Sequence, residues 1–476
     1  MAYIGRQSII GNFVKLDSIT VVNGQAAYTM QNGGSNFTDY ESVNQFLVSL
    51  NGTIQAPTDS FTVSGSTLTF ASNLSTGDVI DFIMVFGNSL SAGTPTDATV
   101  TTAKLADSAV TAAKITDATI TSGKLASGVV QNQSAFKNII INGDMSIAQR
   151  ATSKASITGS SYETVDRFKQ EISSQGTWTQ SQSTTVPSGQ GFATSLKMDC
   201  TTADASPAAS DYIYITQKIE GQNLQYLKKG TSSAESTTLS FWVRSNKTGT
   251  YIARLRDADN TRSTSKSYTI SSADTWEKKT ITFDGDTTGT LNNDNGTSLQ
   301  LYFYLGAGSD YTSGTLATSW EANTNANNAV GQVNLADSTS NEWYITGVQL
   351  EAGTSASDFE FLPYDVNFGR CERYCRRLGS GVNGRAASSS VFYFGNTLEP
   401  PMRATPTLTL TDTSVGVGNL YTHDYTSSSS AFVLARSTKS GVVGSINGFS
   451  GMSAGDQLQS WHNFTDDNWL LITAEL

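Results

Sequence analysis

The run Thr238-Leu239-Ser240-Phe241-Trp242-Val243-Arg244 sets Leu239, Phe241 and Val243 on one side of an extended chain. A side-chain period of two marks a strand with one face on a core. The pattern recurs in Ser195-Leu196-Lys197-Met198, Tyr212-Ile213-Tyr214-Ile215, Tyr251-Ile252-Ala253-Arg254-Leu255 and Lys279-Thr280-Ile281-Thr282-Phe283. It returns in LQLYFYL at 299–305 and WYITGVQL at 343–350, with Gly, Asn, Asp and Ser clusters between the runs. Eight or so such strands within 137–366 predict a β-sandwich of jelly-roll type. This unit carries five of the seven tryptophans.

At 476 residues the chain has room for about three domains. Charged residues are only 15% of it, against ~25% in ordinary soluble domains. Ser, Thr, Asn and Gly take their place, which favours strands and turns over helices. The expected fold class is all-β. A net charge of −11 argues against a cationic surface for nucleic acid, so no nucleic-acid partner is expected. Only two histidines occur, His423 and His462, which excludes metal sites built on several histidines. Three cysteines, Cys200, Cys371 and Cys375, cannot all pair within one chain, so reduced thiols are expected. No secretory signal pattern is visible in MAYIGRQSIIGNF, and the apolar stretch 79–86 is too short to span a bilayer.

Residues 1–92 read as a small β-sandwich. Phe46-Leu47-Val48-Ser49-Leu50 runs into Asn51-Gly52, a strong hairpin signal, and Thr53-Ile54-Gln55 follows. From 93 to 136 the composition shifts to a ten-residue repeat, DATVTTAKLA, DSAVTAAKIT, DATITSGKLA, over a finer period of five. Apolar residues fall at Val100, Leu105, Val110, Ile115, Ile120, Leu125 and Val130, with small residues two positions before each. Five residues turn an α-helix by about 140° past a full revolution, so no apolar stripe forms. An odd step on a straight strand sends successive residues to opposite faces. The chain must coil within each pentad, and so short an array cannot bury its own core. A narrow shaft of several chains, three-fold in this reading, supplies the missing surface. A flexible Thr/Ala linker is the plainer alternative, but a linker needs no such register.

Residues 367–379, beginning NFGRCERYCRRL, predict a connecting helix, with Phe368, Cys371, Cys375 and Leu378 at helical spacing. A β-rich terminal domain is expected over 380–476.

The layout resembles bacteriophage tail fibres of the marine tailed-phage type. FLVSLNGTIQ with FTVSGSTLTF and GDVIDFIMVFG is similar to their N-terminal β-domain, and TTAKLADSAVTAAKI to their shaft repeats. KNIIINGDMSIAQRAT, YETVDRF and EWYITGVQLEAG resemble a carbohydrate-module-like jelly roll that many carry. RCERYCRRL and PMRATPTLTL resemble the junction and opening strands of the distal domain. The resemblance implies a homotrimer within the virion, joined to tail proteins at its N-terminus. Its C-terminal end would meet a host surface glycan or outer-membrane receptor.

The chemistry-bearing residues fit binding better than catalysis, so no enzyme activity is expected. Neither histidine lies beside a strained-turn nucleophile. A glycan hydrolase acting through paired carboxylates remains an alternative, since such pairs are recognised by separation in space. A purely structural tail adaptor is another. Asp257-Ala258-Asp259-Asn260, Asp284-Gly285-Asp286 and Asn292-Asn293-Asp294-Asn295-Gly296 are oxygen-rich turns without EF-hand spacing. No cofactor is expected, with one structural calcium at these turns as the minority option. Trp178, Trp242 and Trp320 are sugar-platform candidates in the central unit, whose other aromatics read as core, making it chiefly a spacer. In the terminal domain Tyr421, His423, Tyr425, Trp461 and His462 are the receptor-binding candidates, with Tyr393 as a further aromatic.

The pentad reading yields the first prediction. Replacing Leu105, Ile115 and Leu125 with Asp in the full-length protein should convert a trimer into monomers in light scattering. A monomeric mass for the unaltered protein would refute the shaft.

Overall fold

The computed structural model describes residues 13–87, 136–379, 381–411, 415–418, 424–426, 431–461 and 468–476, with Val100, Leu105 and Val110 singly between. The chain divides into two compact units, residues 1–127 and 128–476. Both are almost wholly β among the described residues, as the composition predicts.

In the first unit a four-stranded sheet and a three-stranded sheet enclose a core that includes Tyr28, Phe46, Val48, Phe61, Leu68, Phe70 and Ile83. The Asn51-Gly52 hairpin forms as the sequence predicts. Asn51 and Gly52 take φ of 52° and 76°, the left-handed pair that lets Phe46–Leu50 fold back on Thr53–Gln55. Of the pentad positions, Val100, Leu105 and Val110 are exposed at 44%, 45% and 52%. Ile115, Ile120, Leu125 and Val130 lie outside the described residues.

The second unit opens with the jelly-roll sandwich. Two six-stranded antiparallel sheets face each other across one core, which includes Phe168, Trp178, Ile213, Phe241, Phe303 and Trp343. The predicted strands are present and longer than their apolar cores suggest. Five more join them: Ser153–Ile157, Lys169–Ser173, Thr177–Ser183, Arg262–Ile270 and the two-residue Glu321–Ala322. Their sequences are too polar for a clear period of two, and they hold their places by pairing with longer strands. The motif 137–147 clasps the strand Glu342–Ala352. Asn138 Oδ1 accepts from the Leu350 amide at 3.1 Å, and a Cβ on Gly143 would stand 2.0 Å from the Val348 carbonyl oxygen.

The three oxygen-rich stretches are turns, and one pair of them holds a cation that the chain supplies itself. Lys229 Nζ lies 2.5 Å from Asp257 Oδ2 and 2.9 Å from Asp286 Oδ2, with Thr288 and Gly289 carbonyls at 3.3 and 3.1 Å. Arg262 grips Asp286 by both carboxylate oxygens. Burial alone would raise the Asp286 carboxyl, but hydrogen bonds from Arg262, Lys229 and the Thr288 amide hold it below the usual range. Lysine thus occupies the position between these carboxylates that a calcium ion would need.

The connecting helix is shorter than the spacing predicts. It spans Tyr364–Glu372, and Cys375–Gly379 is already a strand, paired with Asn468–Thr473. Cys371 therefore lies on the helix and Cys375 on the strand, both as buried free thiols. Pairing with the last strand of the chain overrides a helical spacing of only four residues. That three-stranded sheet and a seven-stranded sheet enclose the terminal core around Phe392, Phe394, Met402, Val417, Ile446 and Ile472.

The terminal domain is bound to the jelly roll through a buried ionic seam. Glu220, with no exposed surface, accepts from Arg373 Nε and Nη2 at 2.9 and 2.8 Å and from the Tyr374 hydroxyl. Arg167 pairs with Glu475, donates to the Lys218 carbonyl at 2.7 Å, and stacks 3.5 Å from the Tyr374 ring centroid. Arg403 reaches the carbonyls of Asn295, Ala474 and Glu475 at 2.8–2.9 Å. Burial pushes the Asp166 carboxyl at this seam up to about 6, against the pull of Arg150 and Gln149.

Removing one member of a buried ion pair leaves the other uncompensated. Lys229→Met should therefore lower the unfolding free energy by about 3 kcal/mol in denaturant titration. Adding Asp257→Leu to it should recover part of that loss. An unchanged midpoint for Lys229→Met would show that the cage does not stabilise the fold.

Candidate functional site

The seven-stranded sheet of the terminal domain has one face on the core and one open. Along Val391–Thr397, Phe392 and Phe394 point inward, while Tyr393 and Gly395 point outward. The register aligns an outer row across neighbouring strands: Gln457 opposite Arg385, Arg385 opposite Tyr393, Tyr393 opposite Ser445. Beside it lie Asn383, opposite Gln459, and Gly395, opposite Val443. Asn383, Arg385, Tyr393, Gly395, Val443 and Gln457 line an open groove of about 440 Å³.

Two features set this groove apart from the rest of the sheet. Tyr393 is 41% exposed and Val443 44%, so apolar surface stays in contact with water. Around it, the side chains of Asn383, Arg385 and Gln457 make no hydrogen bond or ion pair among the described residues. A flat aromatic ring packs against sugar C–H groups, and amide and guanidinium groups pair with hydroxyls. No carboxylate of the described residues lines the groove.

Two glycines shape it for different reasons. A Cβ on Gly384 would stand 2.0 Å from the Tyr393 carbonyl oxygen and 2.7 Å from the Phe392 ring. Gly384 therefore lets these strands and rings approach. A Cβ on Gly395 would meet nothing closer than Val443 at 3.8 Å. Gly395 keeps the groove floor empty without being required by the packing.

Of the residues expected from sequence, Tyr421, His423 and His462 lie outside the described residues. Tyr425 lies in the strand Asp424–Thr426, half-buried against the terminal core. Trp461 ends the strand Gln457–Trp461. In the jelly roll Trp178 has no exposed surface and belongs to the core, so it is no sugar platform. Trp320 packs against that core, donates its ring N–H to the Asp284 carbonyl at 2.8 Å and lies 4.9 Å from Lys229 Nζ. Trp242 is half-buried in mid-strand. Tyr393 was among the aromatics singled out from sequence, and the strand Val391–Thr397 turns it outward. Asn383, Arg385 and Gln457 carry no motif and meet only through strand register.

No protein-family model and no curated protein matches the chain. Among solved structures it is similar to the enzymatically active domain of bacteriophage CBA120 tailspike protein 4. That match has 15% identity over 46% of this chain and 22% of that one, with a TM-score of 0.25. A second is the family 11 carbohydrate-binding module of the Clostridium thermocellum cellulase Lic26A-Cel5E, at 14% identity over 42% and 99% of the two chains, TM-score 0.21. A third is the xylan-binding domain CBM22-1 of Paenibacillus barcinonensis Xyn10C, at 10% identity over 44% and 100%, TM-score 0.21. Scores this low carry no argument about function. The chain spans about a fifth of the length of the tailspike domain.

The two glycines separate packing from groove shape. Gly395→Leu should leave the thermal unfolding midpoint of the full-length protein near that of the unaltered protein while filling the groove. Gly384→Ala should destabilise the terminal domain by about 1–3 kcal/mol through overpacking. The reverse order of effects would contradict the geometry of this sheet.

Proposed function

We propose that the chain is a receptor-binding fibre of a tailed-phage virion. It acts as a homotrimer and contacts a neutral, hydroxyl-rich surface glycan of the host through the terminal groove. The observation that carries this reading is the exposed Tyr393 ring among three polar side chains with unspent hydrogen-bonding capacity. The order of segments supports the fibre assignment: an N-terminal β-domain for attachment to tail proteins, a pentad shaft, a sandwich and a terminal domain. The exposed Val100, Leu105 and Val110 support assembly with further copies, because apolar side chains at that spacing gain burial only from other chains. Each groove is open and binds weakly by itself. Three copies on one fibre raise avidity by about 10²–10⁴ where geometry allows.

Binding is tested with the full-length protein on a panel of bacterial surface polysaccharides and on whole cells. The unaltered protein should retain at least one neutral glycan, and both Tyr393→Ala and Gly395→Leu should weaken that binding tenfold or more. Equal retention by both variants would move recognition elsewhere, with Tyr421, His423, Trp461 and His462 the next positions to alter. Release of reducing sugar from the bound glycan would instead favour the hydrolase. Failure of the trimer to bind any glycan or cell would favour the structural adaptor.

A further inference from the structure

The four-stranded sheet of the first unit is apolar on both faces. Its strands lie in the order Phe13–Lys15, Ile80–Phe86, Phe46–Leu50 and Thr53–Gln55. Along the two central strands Ile83, Val85, Phe46 and Val48 enter the core, so Phe82, Met84, Phe86 and Leu47 face outward. The register sets Phe13 opposite Phe86, Met84 opposite Leu47, and Phe82, Ser49 and Ile54 in one row. Phe13, Ile54 and Phe86 are exposed at 53%, 52% and 46%, and Leu47, Phe82 and Met84 are half-buried.

An antiparallel sheet that borders water carries polar residues on its outer face. On this face the central strands offer Ser49, and its hydroxyl is spent on Asp81 Oδ2 at the rim, 2.8 Å away. The Gly52 amide donates to the same oxygen at 2.7 Å. Lys15, opposite Met84, adds a cation at the edge. A contiguous apolar strip with a polar rim marks a contact surface. Its place in the chain says what covers it. The strand Ile80–Phe86 supplies Phe82, Met84 and Phe86 and is the last described strand before the pentad segment, whose Val100, Leu105 and Val110 are exposed as well. Both apolar surfaces belong to the compact unit 1–127 and follow one another along the chain. One occupant that covers both is a further copy of this chain, and a strip with so little charge does not repel its own copies.

We propose that the outer faces of this sheet from three copies meet around the shaft axis and form a shared apolar core, with Leu47, Phe82 and Met84 at its middle and Phe13, Ile54 and Phe86 toward its margins. The proposal rests on the trimeric reading of the pentad segment and adds a second interface to it. An interface that holds by itself needs about 800 Å² from each partner, roughly 20 residues or more. This strip is smaller, so the faces close only after the shaft has brought the copies together, at an effective concentration of about millimolar.

In the full-length protein cysteine is introduced singly at Leu47 or Met84, on this face, and at Thr62, an exposed position of the other sheet. The native cysteines are buried, so the new thiols are the reactive ones. A short bis-maleimide should link Leu47→Cys and Met84→Cys chains into dimers on a denaturing gel, and Thr62→Cys chains should stay single. With Leu105, Ile115 and Leu125 replaced by Asp, linking should slow about tenfold or more. Phe13→Lys with Phe86→Lys should lower the thermal midpoint of the trimer and leave that of the Asp-substituted monomer unchanged. A trimer whose Leu47→Cys and Met84→Cys thiols react with a single-ended maleimide without linking would overturn this interface and leave the shaft standing. Thiols that neither react nor link would assign the face to another partner, such as a tail protein, and overturn it too. A monomeric full-length protein would overturn both shaft and interface.

Discussion

The pairing of Arg167 with Glu475 fixes the end of the chain against the jelly roll, and much of the second unit depends on it. Arg167 is 1% exposed, so its charge needs a partner, and the partner comes from the next-to-last residue. A buried charge left alone costs several kcal/mol, so this pair and Glu220 with Arg373 allow few relative placements of the two domains. Arg403 extends the same constraint by binding carbonyls of both. The terminal sheet is thereby held by the sandwich as one body with it.

That rigidity separates structural from available polar groups. Most charged side chains of the second unit are engaged: Lys229 between two aspartates, Arg262 on Asp286, Arg373 on Glu220. Against this background, groups without partners stand out. In the terminal groove they are neutral or cationic and surround an exposed ring.

Some of the fold was legible because it rests on local rules. Leu239, Phe241 and Val243 share a face in any strand, and Asn51-Gly52 makes a tight hairpin because both residues tolerate positive φ. The strands Thr177–Ser183 and Arg262–Ile270 were not legible, since their polar residues show no periodicity and only neighbouring strands hold them extended. The helix around 367–378 was half legible. Its first turns obey helical spacing, but from Cys375 onward the backbone bonds to a strand almost a hundred residues later.

The sequence alone determined the all-β class, the jelly-roll strands with the clearest alternation, and the presence of a pentad repeat. Each follows from a period that a single segment carries. Only the tertiary structure decided which polar residues are spent and which are free. Asp257 and Asp286 look like metal ligands until Lys229 is found between them. Arg385 and Tyr393 look unrelated until strand register makes them neighbours. The physical reason is that alternation states which face a residue takes, whereas its partner across the sheet is set by the pairing of strands far apart in the chain.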